Sequence, residues 1–95
     1  MKVVAFNGSP RPGGNTELLL RAALEPIAAA GIETELVQVG GREVRGCRAC
    51  YACFQTRDRR CANDRDEVNQ WIGKVIGADA IIVGSPTYFA GPTAE

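Results

Sequence analysis

The chain has no histidine among its 95 residues, which removes a histidine general base, a Ser-His-Asp triad and every histidine-containing zinc site from these residues. It also has no net charge, because eleven lysines and arginines balance eleven acidic residues, so nothing points to nucleic acid or a membrane surface as partner. No apolar run approaches the roughly 18 residues of a membrane span, and the start lacks a basic-then-apolar leader pattern. A cytoplasmic protein is therefore the default expectation. Aromatics are scarce at 6%, yet 45% of the residues are hydrophobic, which suits a globular chain.

The most informative segment that is present runs from Lys2 to Thr16. The apolar run at 2–6 reads as a strand covered on both faces, and it breaks into Asn7-Gly8-Ser9-Pro10-Arg11-Pro12-Gly13-Gly14 before a leucine-rich helix opens. A helix entered from such a loop offers unpaired N–H groups and the positive end of its dipole, the natural seat for a phosphate. Ser9, Asn15 and Thr16 add donors, and Arg11 adds a cation. Two better-known phosphate loops do not fit. The P-loop pattern needs a lysine where Gly14 stands and Ser or Thr where Asn15 stands, and the dinucleotide pattern G-x-G-x-x-G is absent. A phosphate monoester held without metal, as on a mononucleotide such as FMN, fits better; the plainer alternative is a glycine-rich turn that merely caps a helix.

The remaining pattern predicts a helix over 16–30, with Leu19, Leu20, Ala23, Leu24, Ile27 and Ala28 as its apolar stripe, a kink or weakened turn at Pro26, and a stop at Gly31. A more polar second strand follows over 32–39, as suits a sheet edge. Residues 40–63 have no clear period. Asp64 and Glu67 then read as a capping box, with Val68, Trp71, Ile72, Val75 and Ile76 as a buried face, and Trp71 is assigned to the core. The third strand is Ala80–Val83, followed by Gly84-Ser85-Pro86-Thr87-Tyr88-Phe89. This order predicts an α/β fold: a parallel sheet with helices on both faces, strand order 2-1-3, and a ligand crevice beyond the ends of strands one and three. With strand three left as an apolar edge, the expectation is that residues 1–95 form the N-terminal part of a longer domain or are completed by a partner chain.

Cys47, Cys50, Cys53 and Cys61 crowd into fifteen positions, among seven arginines and three acidic residues over 42–65, a local net charge of +4. Thiolates at this spacing can wrap an iron–sulfur cluster, although the last gap of seven departs from the ferredoxin run. Three readings stand: a [4Fe–4S] cluster, a four-thiolate zinc site, and reduced or redox-active thiols. The zinc reading is weakened by the lack of two separated C-x2-C pairs.

The first loop, the cysteine run and Gly84–Phe89 occur in the order seen in flavodoxin-like NAD(P)H-dependent FMN reductases, and the compact four-cysteine run resembles their iron–sulfur flavoprotein branch. The resemblance implies a flavodoxin-like FMN-binding domain whose C-terminal strands lie outside this segment, with a cysteine loop at about 40–63. It implies that Ser9, Arg11, Asn15 and Thr16 bind the FMN phosphate and that Pro86, Thr87, Tyr88 and Phe89 lie against the flavin ring. It further implies an oxidoreductase passing electrons through FMN, with a nicotinamide or a ferredoxin-like donor, and a homo-oligomer. The competing classes are a non-enzymatic flavodoxin-like electron carrier and a four-cysteine metal-binding module.

Overall fold

The computed structural model describes residues 1–93. Their elements follow the order β1 (Lys2–Asn7), α1 (Asn15–Ala29), β2 (Glu33–Gln38), α2 (Ala52–Thr56), α3 (Val68–Gly77) and β3 (Ala80–Gly84). They fall into two compact units, one of Met1–Arg42 with the segment that begins at Ala78, the other of Glu43–Gly77.

In the first unit the three strands form one parallel sheet in the order β2-β1-β3, the expected flavodoxin-like arrangement. Ala5 lies opposite Leu36 on one side and Ile82 on the other. Val3 and Ala5 pack with Leu20 and Leu24 of α1, and Ile27, Ile32, Leu36 and Ile82 close around them. The central strand is apolar because both its edges are paired and α1 covers one face. At the flank, β2 is polar as expected of an edge, and Lys2 pairs with Glu35 at 3.1 Å.

Several expectations need adjustment. Leu19, placed on the buried stripe, is 72% exposed, and Ala23 and Ala28 are exposed too. A single helix on a three-stranded sheet buries only the line Leu20, Leu24, Ile27, spaced i, i+4, i+7. Pro26 lies inside α1, which leaves the Ala22 carbonyl without its usual donor, yet the helix runs on to Ala29. It stops at Gly31, whose φ of +85° is the left-handed conformation that terminates helices. At the other flank β3 is the sheet edge, and its apolar side chains Ile81 and Val83, which alternate with Ile82, are exposed.

The second unit departs further. The aperiodic stretch holds the short helix α2. The second long helix begins at Val68 and not at Asp64, because Asp66 accepts the Val68 N–H at 3.1 Å and so takes over the capping role assigned to Asp64. Of its expected buried face, Val68, Trp71 and Ile72 are half-buried while Val75 and Ile76 are exposed. Asn69 is the one buried side chain among the described residues of this unit, which supplies no second apolar layer for that face.

Candidate functional site

Beyond the carboxyl ends of β1 and β3, two loops of the first unit meet. The ladder continues past the strands, with Gly8 N–H donating to the Gly84 carbonyl at 2.8 Å. The buried Thr93 then ties the loops together: its Oγ1 donates to the Gly8 carbonyl at 3.0 Å and its N–H to Ser85 Oγ at 2.9 Å. From the other side Gln38 Nε2 donates to the carbonyls of Ser9 (2.7 Å) and Gly40 (2.8 Å), and Asn7 Nδ2 holds Gln38 Oε1 at 2.9 Å. Gly40 packs so tightly here that a Cβ would lie 2.3 Å from the Ser9 carbonyl group, so only glycine fits. The first loop is thus braced by all three strand ends.

Its amides divide into two sets. Ser9 N–H donates to Asn7 Oδ1 at 3.0 Å, Arg11 N–H to Ser9 Oγ at 3.2 Å, and Gly13 N–H to Glu17 Oε1 at 3.1 Å. These groups are committed to the protein itself, and the buried Ser9 hydroxyl is a brace of the loop. The amides of Asn15, Thr16 and Glu17 are different. They form the first turn of α1, the first helical bond is Leu18 N–H to the Gly14 carbonyl, and no side chain among the described residues caps the helix. Among the described residues, the side chains of Arg11, Asn15 and Thr16 also make no hydrogen bond within the protein. Three open amides at the positive end of a 15-residue helix, with a guanidinium and two polar side chains nearby in sequence, are a fitting seat for a phosphate monoester.

Glu17 belongs to this site too. The Gly13 N–H and then the Arg21 guanidinium, 3.0 Å from its other oxygen, hold its carboxyl below the usual carboxylate range. It therefore stays ionised at neutral pH, one negative charge at the loop an anion would enter.

The second loop carries the other expected contacts. Tyr88 and Gly91 exchange both backbone hydrogen bonds, at 2.8 and 2.9 Å, which closes a tight turn with Phe89 and Ala90 at its tip. Both tip residues have positive φ, +49° and +60°, a conformation side chains avoid and one that costs on the order of 1 kcal/mol each. Phe89 is fully exposed and Tyr88 half so, while Pro86 is half-buried and Thr87 exposed. A cleft of about 380 Å³ opens beside the two loops, lined by Phe6, Gly8, Val39, Val83, Ser85 and Thr93 among others. None of Pro86, Thr87, Tyr88 or Phe89 lines it. Tyr88 and Phe89 are displayed outward.

In the second unit the four cysteines are free thiols, three exposed and Cys61 half-buried. Among the described residues no three His, Cys, Asp or Glu side chains converge to hold a metal ion, so the thiols as arranged do not fit a cluster or a zinc ion. Cys50 is held below the usual thiol range by the Ala52 N–H and then by Arg48. Stacked Tyr51 and Phe54 rings, 5.6 Å apart, stand exposed beside it in sequence.

Five side chains or backbones that matter were not foreseen: Glu17, Gln38, Gly40, Asn69 and Thr93. Gln38, a polar residue at the carboxyl end of β2 on the side where the crevice is expected, carried the one available hint.

No helix among the described residues is long and apolar enough to cross a membrane. The chain is 44% identical over its whole length to an iron-sulfur flavoprotein of Methanocaldococcus jannaschii and 38% identical to one of Methanosarcina thermophila, covering 48% of each. Over 93 residues it is 34% identical to an iron-sulfur flavoprotein of Archaeoglobus fulgidus, covering 98% of this chain and 44% of that one. The chain thus spans about half the length of the curated relatives it matches. No solved structure matches it. Residues 1–95 also match the family model described as NADPH-dependent FMN reductase, and with a 2-1-3 parallel sheet whose first loop opens onto a bare helix start, the chain belongs to that family.

Proposed function

We propose that this chain forms part of an FMN-dependent oxidoreductase, with the FMN phosphate at the start of α1. The carrying observation is the set of unpartnered amides at Asn15, Thr16 and Glu17 beside the uncommitted side chains of Arg11, Asn15 and Thr16. Arg11 supplies charge, Thr16 and Asn15 supply donors, and Ser9 keeps the loop in shape. Pro86, Thr87, Tyr88 and Phe89 lie against the flavin ring, with Tyr88 and Phe89 supplying flat apolar surface. FMN when bound supplies the capacity to take up and release electrons, and the protein's task is to bind and orient it and to shield it from water. The family's description and the relatives' names support this reading. NAD(P)H is the donor we propose.

The test compares FMN with riboflavin, which lacks the phosphate, by flavin fluorescence quenching on the full-length protein. FMN should bind at least about 100-fold more tightly, on the order of two charge-assisted hydrogen bonds. Equal affinities would remove the phosphate seat. Steady NAD(P)H oxidation with an added acceptor separates an enzyme from a passive electron carrier.

For the cysteine run we propose a [4Fe–4S] cluster, supported by the spacing and by the names of the relatives. Because the thiols do not converge, such a cluster requires the cysteine loop to rearrange around it. Anaerobic purification with metal analysis is the check. Zinc without iron would reject it.

A further inference from the structure

The central strand of the sheet ends on a polar residue where a core would place an apolar one. Asn7 is fully buried, and a buried carboxamide is costly unless its hydrogen bonds are made. They are made to the loop and to β2. Oδ1 accepts the Ser9 N–H at 3.0 Å, and Nδ2 donates to Gln38 Oε1 at 2.9 Å. The Asn7 carbonyl accepts the N–H groups of Val39 and Gly40, at 2.9 and 3.0 Å. Gln38 is the register partner of Asn7 in the ladder; on the other side that place belongs to Gly84, which has no side chain. The two carboxamides therefore act as one unit. Through Gln38 Nε2 the unit also holds the Ser9 carbonyl, so Ser9 is fixed at both its N–H and its C=O.

From Ser9 the order passes along the loop in short steps. Ser9 Oγ accepts the Arg11 N–H at 3.2 Å, and the Arg11 carbonyl accepts the Gly14 N–H at 3.3 Å. Gly14 is the residue from which α1 starts. Each link spans two or three residues, the reach at which a side chain or a turn fixes local backbone. An unbroken series of hydrogen bonds thus runs from a buried side chain at the end of β1, through the residue that bears the guanidinium, to the open amides of α1. Neither Asn7 nor Gln38 is among the residues assigned to hold the phosphate.

We propose that Asn7, acting with Gln38, is a positioning residue for the flavin phosphate: it shapes the loop before the anion arrives, so that binding orders little further backbone. This role goes beyond the phosphate seat assigned above and rests on it. A loop already held in its binding conformation binds more tightly, because the ordering entropy is not lost on association. A residue that served the fold alone would weaken every ligand alike when replaced. A positioning residue weakens the phosphate-bearing ligand selectively.

The test titrates the full-length protein with FMN and with riboflavin, by flavin fluorescence quenching, in unaltered form and in three variants. Asn7→Leu keeps the branched shape and removes both links. Asn7→Asp keeps the acceptor for the Ser9 N–H and loses the donor to Gln38. Gln38→Glu, at a half-buried strand end, keeps the acceptor for Asn7 and loses the donors to Ser9 and Gly40. Asn7→Leu and Gln38→Glu should each weaken FMN roughly tenfold, about the worth of one buried hydrogen bond, while riboflavin moves less than about twofold. Asn7→Asp should fall between these and the unaltered protein. Where Asn7→Leu does not fold, Gln38→Glu carries the measurement. Amide hydrogen exchange on the flavin-free protein reads the series of bonds directly: Gln38→Glu should speed Ser9 and Arg11 and leave Val4 and Ala5 unchanged. Exchange at both loop amides unmoved by Gln38→Glu overturns the positioning role. So does an FMN preference as strong in the variants as in the unaltered protein, or an equal loss of FMN and riboflavin, and each of these leaves the phosphate seat standing. Equal affinities for the two flavins in the unaltered protein remove the seat itself, and the positioning role with it.

Discussion

The two compact units of this chain stabilise their loops by opposite means. In the first, the glycine-rich loop after β1 is unconventional in conformation yet fully braced: Gln38 holds it from β2, Thr93 and the Gly84 carbonyl hold it from the β3 side, and Gly40 is pressed against Ser9. In the second, the cysteine-bearing loop carries four non-glycine residues with positive φ and one buried side chain among its described residues. All six buried apolar residues among the described ones, Val3, Val4, Ala5, Leu20, Leu24 and Val37, belong to the first unit. The lesson is that a loop can be shaped before its ligand arrives only where strands and a helix supply the bracing. Elsewhere the ligand must contribute the order itself.

The comparison can be broken most sharply at glycine. Gly40→Ala would drive a methyl group to 2.3 Å from the Ser9 carbonyl, and should cost about 3 kcal/mol or more in denaturant unfolding, whereas Gly46→Ala in the cysteine unit meets nothing within 4 Å and should stay within about 0.5 kcal/mol. Equal losses would mean that the first loop is no better braced than the second. Next in size, Arg11→Ala with Thr16→Ala should weaken FMN by about 2–3 kcal/mol, read by fluorescence quenching. Hydrogen exchange sharpens the contrast without mutation: amides of β1 should exchange only on global unfolding, and those of residues 47–51 within the dead time of the measurement.

The smallest effect concerns Glu17. Its carboxyl lies below the usual range, so the bond to Gly13 is present above that range and survives falling pH until the depressed value is crossed, as carbon-13 NMR of the side chain would record. Glu17→Gln removes the negative charge from the loop and should tighten FMN roughly threefold, an exposed-pair effect that salt diminishes.

Much of the sheet was legible in the sequence. The unbroken apolar run at 2–6 against the polar 33–38 pointed to strand one at the centre and strand two at an edge, because burial on both faces tolerates no alternation; the equally apolar run at 80–83 gave no sign that Ile81 and Val83 are exposed. The helix stop at Gly31 was equally plain. The width of α1's buried stripe was not, since Leu19 is apolar whether or not anything covers it. At the site, Arg11, Asn15 and Thr16 lie on the loop and the first turn of α1, Ser9 Oγ accepts the loop's own Arg11 N–H, and the outward pose of Tyr88 and Phe89 depends on a turn whose two left-handed residues carry no glycine signal. The cysteine spacing suggested a closed cage. Spacing says which thiols can meet and nothing about whether the backbone already brings them together.

Gln38 links the loop before α1 to the edge of the sheet. One carboxamide grasps the carbonyls of Ser9 and Gly40 at once, so any guest that shifts the mouth of α1 must tug on a single NH₂ group at the far flank of the sheet. Its nitrogen-15 signal becomes a built-in strain gauge, reporting occupancy from a residue that no guest need touch.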